Sequence, residues 1–244
     1  SAVVIALTAD LTRETQRTKA MAMIGSTIGL TFALSLVASP WLNQWIGVAG
    51  IFVLTGVLSL LAIGVVAFIV PDPDAAKPHG STSSAGFLAL LSDPQLARLN
   101  FGIFALHAVL MALFIVVPLA LRDTGLGIDH HWQVYLPVML GSFVLMVPAV
   151  LLAERRGRGK EVFAASVAVL LAGHLAMPWL LGSTAAIVLF LLVFFSAFNV
   201  LEAMLPSLTS KLAPPQAKGA AMGIYSSIQF LGTFAGAASG GFLF

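Results

Sequence analysis

The chain has no cysteine and little charge: Asp, Glu, Lys and Arg make up 9% of its 244 residues. Without cysteine there is no disulfide framework and no thiolate metal site. So little charge excludes an ordinary soluble surface, since a soluble domain carries about 25% charged residues. The formal net charge of +2 is no footprint of nucleic-acid binding. No Gly-Lys-Ser or Gly-Lys-Thr phosphate cradle is present, so ATP is not the expected driving force. Asp129, His130 and His131 are the one group with a metal-ligand flavour. Adjacent histidines splay apart, and a solvated loop accounts for them better than a metal. No cofactor, no metal and no enzymatic activity are expected.

What remains is apolar: 59% of residues are hydrophobic, and mean hydropathy is +1.01. Seven long runs carry it, at 20–41, 46–70, 99–121, 132–153, 162–181, 185–206 and 219–244. A helix crosses a hydrocarbon core with about 20 residues, so each run is long enough. Their apolar residues point all round, as in helices that face lipid or a protein interior on every side. The expected fold is an all-α, polytopic membrane helix bundle whose principal partner is the lipid bilayer. Residues 1–9 read as the tail of a further helix.

The basic residues alternate between loops. Arg13, Arg17 and Lys19 stand in one loop, Lys77 and Arg98 in another, Arg155, Arg156, Arg158 and Lys160 in a third, and Lys211 and Lys218 in a fourth. Only Arg122 falls in an intervening loop. Positive charge marks cytoplasmic loops, so the basic loops are expected inside the cell. Trp41, Trp45, Trp132 and Trp179 all fall at the opposite helix ends, where an aromatic belt would sit.

Pro71, Pro73, Pro78, Gly80 and the run Ser81–Ser84 give the stretch 71–95 the composition of a hydrophilic linker. It separates residues 1–70 from residues 96–244. The two parts share a weak echo. Leu11-Thr12 with Lys19-Ala20-Met21-Ala22-Met23 matches Leu208-Thr209 with Lys218-Gly219-Ala220-Ala221-Met222. Both copies precede an outward-running helix, which suggests a parallel repeat about an axis along the membrane normal.

Three stretches resemble the major facilitator superfamily. Ala153-Glu154-Arg155-Arg156-Gly157-Arg158-Gly159-Lys160 is similar to the second-half copy of the family loop Gly-x-Leu-Ala-Asp-Arg-x-Gly-Arg-Arg. Glu154 stands for the Asp, and Val150 for the first Gly. Residues 206–241, with Lys218-Gly219 and Tyr225-Ser226-Ser227, resemble helices 10 and 11 of bacterial twelve-helix drug/proton antiporters. Residues 25–40 stand where antiporters carry a Gly-rich pattern, here with Ser26, Ser35 and Ser39 before Pro40 and Asn43-Gln44 in place of the closing Gly pair.

The resemblance implies an incomplete major facilitator-type fold: the end of helix 4, then seven full helices, 5 to 11. Residues 1–70 would be the remainder of a first six-helix half and 96–244 the second half. The missing helices of the same protein would be its partners. It also implies a secondary transporter of a bacterial inner membrane, exporting a small-molecule substrate, an amphipathic compound, against protons by alternating access. Two rival readings are an uptake carrier for a sugar or organic anion, and a non-transporting scaffold or receptor. The runs contain no Lys or Arg, which disfavours an anion carrier.

Glu202 is the one Asp, Glu, Lys or Arg inside the seven runs, and an intramembrane charge is a functional candidate by default. It would carry the coupling proton, or form a fixed salt bridge to Lys211 or the Arg155 cluster. Phe195, Asn199 and Glu202 share one helical face. Asn100, Phe104, His107, Met111 and Phe114 form another stripe. Its rings and methionine suit a broad apolar substrate; packing with one satisfied histidine is the plain alternative. Gln229 and Tyr225 lie one turn apart and could reach the same cavity. The loop Glu154, Arg155, Arg156, Gly157 and Arg158 is either topogenic charge or a latch that pairs in one transporter state and parts in the other. Gly232, Gly236 and Gly240 make a small-residue ladder for close helix packing. His174 is given no role. Pro118, Pro137, Pro148 and Pro206 are expected to kink or end helices.

Overall fold

The computed structural model describes Thr12 and residues 16–68 and 84–243. The apolar stretch 1–9 and the linker up to residue 83 lie outside them. Among the described residues the chain is built from helices and turns, without a strand. In chain order the α-helices are α1 (Arg17–Phe68), α2 (Ser84–Ser92), α3 (Pro94–Asp123), α4 (Trp132–Arg155), α5 (Gly159–Leu180), α6 (Thr184–Leu212) and α7 (Lys218–Leu243). The all-α membrane bundle is as expected. Five helical stretches among the described residues are long and apolar enough to span a membrane. They are Val37–Phe68, Pro94–Asp123, Ile128–Arg155, Gly159–Leu180 and Thr184–Leu212. The helix α7 is also long enough, but glycine, serine and Gln229 dilute its apolarity.

The first two apolar runs join into one helical stretch, broken by Gly47 at φ 65 and ψ 175. The sequence reading puts the turn at Asn43-Gln44. The break falls at Gly47 because a positive φ needs a residue without Cβ, whereas Asn43 and Gln44 fit a helix. The second part of the linker, Ser84–Ser92, is a short helix. The helix α3 begins five residues before its apolar run. Asp93 caps it, its Oδ1 accepting from Gln95 N at 2.8 Å and Leu96 N at 3.0 Å, and Pro94 fills the first position. None of the four prolines ends a helix; α6 runs through Pro206 to Leu212.

The bundle is organised round α6, which touches α1, α3, α4, α5 and α7. Half of its most apolar window is buried, against none for the Val37–Phe68 stretch. The core holds Ile103, Leu121, Ile187, Leu191 and Phe194. Large apolar side chains on the outside, such as Phe52, Leu60 and Trp179, are exposed, as lipid-facing residues must be when backbone polar groups are satisfied within helices.

The ladder on α7 finds its partner within the chain. A Cβ at Gly232 would collide with the carbonyl of Phe104, and one at Gly236 with the carbonyl of Ala108. At Gly240 it would meet Ile115 Cδ1 at 2.9 Å and Ala112 Cα at 3.4 Å. So α7 lies backbone to backbone on α3. At one end of the bundle Arg98, Glu154, Lys160 and Lys211 line a single cavity. At the other, Pro40, Phe114, Trp132 and Tyr135 line another. The basic residues of the first cavity and Trp132 of the second therefore lie at opposite ends of the bundle.

Candidate functional site

Close packing of α7 on α3 brings three polar side chains together beneath α6. Gln229 Nε2 lies 2.8 Å from His107 Nε2 and 3.3 Å from Glu202 Oε1. His107 Nε2 is 3.9 Å from Glu202 Oε2. On its other side the imidazole bonds Ile103 O through Nδ1 at 3.3 Å. That carbonyl only accepts, so Nδ1 carries the hydrogen. In the neutral ring Nε2 then accepts from the Gln229 amide, whose second hydrogen goes to the Glu202 carboxylate. The ring of Phe198 covers the imidazole at 5.8 Å. Glu202 Oε2 is buried and accepts no hydrogen bond among the described residues.

Neither Lys211 nor the Arg155 cluster pairs with Glu202 among the described residues; its neighbours are Gln229 and His107. Pro206 supplies no N–H to the carbonyl four residues back, which is that of Glu202. The site thus combines an intramembrane carboxylate and a titratable imidazole. Protonating His107 would turn Nε2 into a donor, and the Gln229 amide would have to reverse to meet it. That reversal takes the donor away from Glu202.

The other candidates fall elsewhere. Asn199 Nδ2 donates to Ser142 Oγ of α4 at 3.0 Å, and Ser142 donates to Met139 O at 2.8 Å. Phe195 is buried against Phe114, at 6.3 Å between ring centroids, and Phe194, at 5.1 Å. The face shared by Phe195, Asn199 and Glu202 is therefore divided among different neighbours. Asn100 is buried two turns before His107, its Oδ1 without a partner among the described residues. Phe104 lies at the crossing with Gly232, and Met111 is half-buried on the same helix. Tyr225 is buried and its hydroxyl unpartnered among the described residues. His174 is a packing residue, set between Phe190 and Phe194 at 6.0 and 5.6 Å.

The loop at the basic end also acquires a partner. Glu154 Oε2 lies 3.6 Å from Lys19 Nζ at the start of α1. The pair joins the two sequence segments on either side of the linker. The cation that meets Glu154 is the ammonium of Lys19 and not an arginine of its own loop. Gly157 turns the chain from α4 to α5 at φ 64, a conformation that favours glycine. Arg158 pairs with Glu161 on the first turn of α5. Arg155 and Arg156 are exposed. Ser142 escaped the sequence reading, and Lys19 entered it only as loop charge and part of a repeat; each matters here through a partner far along the chain.

The model of the Major Facilitator Superfamily matches residues 1–243. The chain belongs to the major facilitator superfamily. It is 38% identical over 245 residues to the inner membrane transport protein YajR of Escherichia coli strain K12, covering 100% of this chain and 54% of that protein. It is 28% identical over 239 residues to an uncharacterized transporter of Buchnera aphidicola subsp. Acyrthosiphon pisum, covering 97% and 61%. A transporter of Buchnera aphidicola subsp. Baizongia pistaciae is 27% identical over 249 residues, at 100% and 63%. The chain thus spans little more than half the length of these relatives. As a superfamily member with membrane-spanning helices, it is an integral membrane protein.

Proposed function

We propose that the chain is the greater part of a proton-coupled exporter of small amphipathic compounds, with Glu202 as the proton-carrying group. The observation that carries this reading is the Glu202–Gln229–His107 constellation across α3, α6 and α7. A buried carboxylate whose second oxygen has no donor can take a proton without breaking an existing bond. Gln229 then passes the change in charge to His107 on α3, the helix whose Phe104, His107 and Met111 stripe would meet the substrate. In this reading residues 1–70 and 96–244 belong to opposite halves, and the basic end faces the cytoplasm of a bacterial inner membrane. Lys19–Glu154 holds the halves together on that side in one state and releases them in the other.

The test is proton flux driven by substrate in liposomes holding the complete protein. Glu202→Gln abolishes coupled export and leaves substrate binding measurable. His107→Ala changes the set of compounds exported. Undiminished coupled export by Glu202→Gln would refute the assignment.

A further inference from the structure

A cavity of about 680 Å³ opens at the basic end of the bundle, apart from the Glu202 constellation. Its polar wall carries Arg98 from α3, Lys160 from α5 and Lys211 from α6. One carboxylate, Glu154, is also present; its cationic neighbour is Lys19 at 3.6 Å, which lies outside the lining. Arg98, Lys160 and Lys211 have no ion-pair partner among the described residues. Three cations from three helices therefore face one space with a single, already paired, negative charge. Gln95 and Ser207 also line it, and the rest of the wall is mostly apolar, with Leu99, Phe163 and Leu208.

We propose that this cavity seats the phosphate headgroup of an anionic membrane phospholipid. The shared chemistry is a phosphate anion held by an arginine fork and two ammonium groups. The apolar wall and the position at the helix ends select the lipid over a soluble phosphate. A headgroup at that level brings a glycerol backbone and acyl chains to cover Leu99, Phe163 and Leu208, whereas inorganic phosphate leaves them wet. Basic pockets between spanning helices take anionic headgroups in this way. The seat also borders the proposed latch. Glu154 and Gly157 line it, Glu154 pairs with α1, and Lys211 ends the helix that carries Glu202. A bound headgroup would tie α3, α5 and α6 together at the end where the latch closes.

The experiment compares spin-labelled phosphatidylglycerol with spin-labelled phosphatidylcholine on the complete protein in phosphatidylcholine membranes. The wild type is expected to prefer phosphatidylglycerol. Each of Arg98→Gln, Lys160→Gln and Lys211→Gln should weaken that preference about fivefold, and the triple variant about a hundredfold. Arg155→Gln/Arg156→Gln removes charge from the same end but outside the lining, and should change it far less. An equal loss in that control, or an unchanged preference in the triple variant, would overturn the proposal. So would displacement of phosphatidylglycerol by soluble glycerol 3-phosphate at equal concentration, which would make the site one for a soluble phosphate ester. Melting temperatures of all variants in pure phosphatidylcholine, matching the wild type, tie the loss to the cavity.

Discussion

Gln229 and His107 meet across the α3–α7 contact with 2.8 Å between their Nε2 atoms. The same amide reaches Glu202 Oε1 at 3.3 Å, so one side chain satisfies groups on two other helices. Gln229→Leu shortens the side chain by one atom and removes both bonds. It leaves a buried carboxylate oxygen and an imidazole nitrogen unpaired, which costs about 1–3 kcal/mol per group. The complete protein should melt at a clearly lower temperature, and Glu202→Gln, whose neutral amide costs less to leave unpaired than a carboxylate, should restore part of the loss in the double variant. A Gln229→Leu protein that melts with the wild type would mean the amide bridges nothing.

The α3–α7 contact makes a second, independent prediction. A methyl group at Gly236 would run into the backbone carbonyl of Ala108, which cannot rotate away. Gly236→Ala should therefore destabilise the protein by about 1–3 kcal/mol, the usual range for overpacking. Gly241→Ala, one residue beyond the ladder, meets nothing within 4 Å and should be neutral. Thermal unfolding of both variants decides the matter, and equal behaviour would show that the helices separate readily.

These two contacts differ in how far the sequence announces them. The spanning helices follow from run length alone, because nothing but a helix satisfies its own backbone in lipid. The ladder follows from the four-residue spacing of Gly232, Gly236 and Gly240, though not the identity of α3 as its partner. Glu202, His107 and Gln229 each stand out as polar residues in apolar runs. Their meeting depends on the crossing of α3, α6 and α7, and spacing along one helix does not encode that. Local periodicity misleads at Asn199, which shares a face with Glu202 on paper and turns to Ser142 of α4 instead. Boundaries shift for local reasons. Asp93 and Pro94 start α3 before hydrophobicity rises, and Pro206 bends the backbone hydrogen bonding of α6 without ending the helix.

Lys19 and Glu154 join segments from either side of the linker at 3.6 Å. With Lys19 44% exposed, the pair is screened, and a double-mutant cycle should return a coupling of roughly 0.2–1 kcal/mol. The more telling readout is the population of the two states. Lys19→Gln and Glu154→Gln should each shift the balance of transporter states in the same direction, and the exchange Lys19→Glu/Glu154→Lys should move it back. Distance measurements between labels on α1 and α4 of the complete protein follow that balance. If the exchange behaves as the sum of two losses, the pair is topogenic charge and no latch.

Asn199 and Glu202 separate structure from coupling within a single turn of α6. Asn199→Ala removes the donor to Ser142 Oγ, but Ser142 keeps its own bond to Met139 O. The cost is that of one ordinary hydrogen bond, about 1 kcal/mol, and it falls on the α4–α6 contact. The substrate-driven proton flux per molecule of folded protein should stay at the wild-type level. Glu202→Gln keeps a bond to Gln229 within reach, so its melting temperature should move little, while the proton flux disappears. Because the two residues sit three apart on one helix, a general disturbance of α6 would affect both measurements in both variants. Opposite responses require that the carboxylate itself, and not the integrity of the helix, carries the proton; loss of flux in Asn199→Ala would mean that the whole face works as one unit.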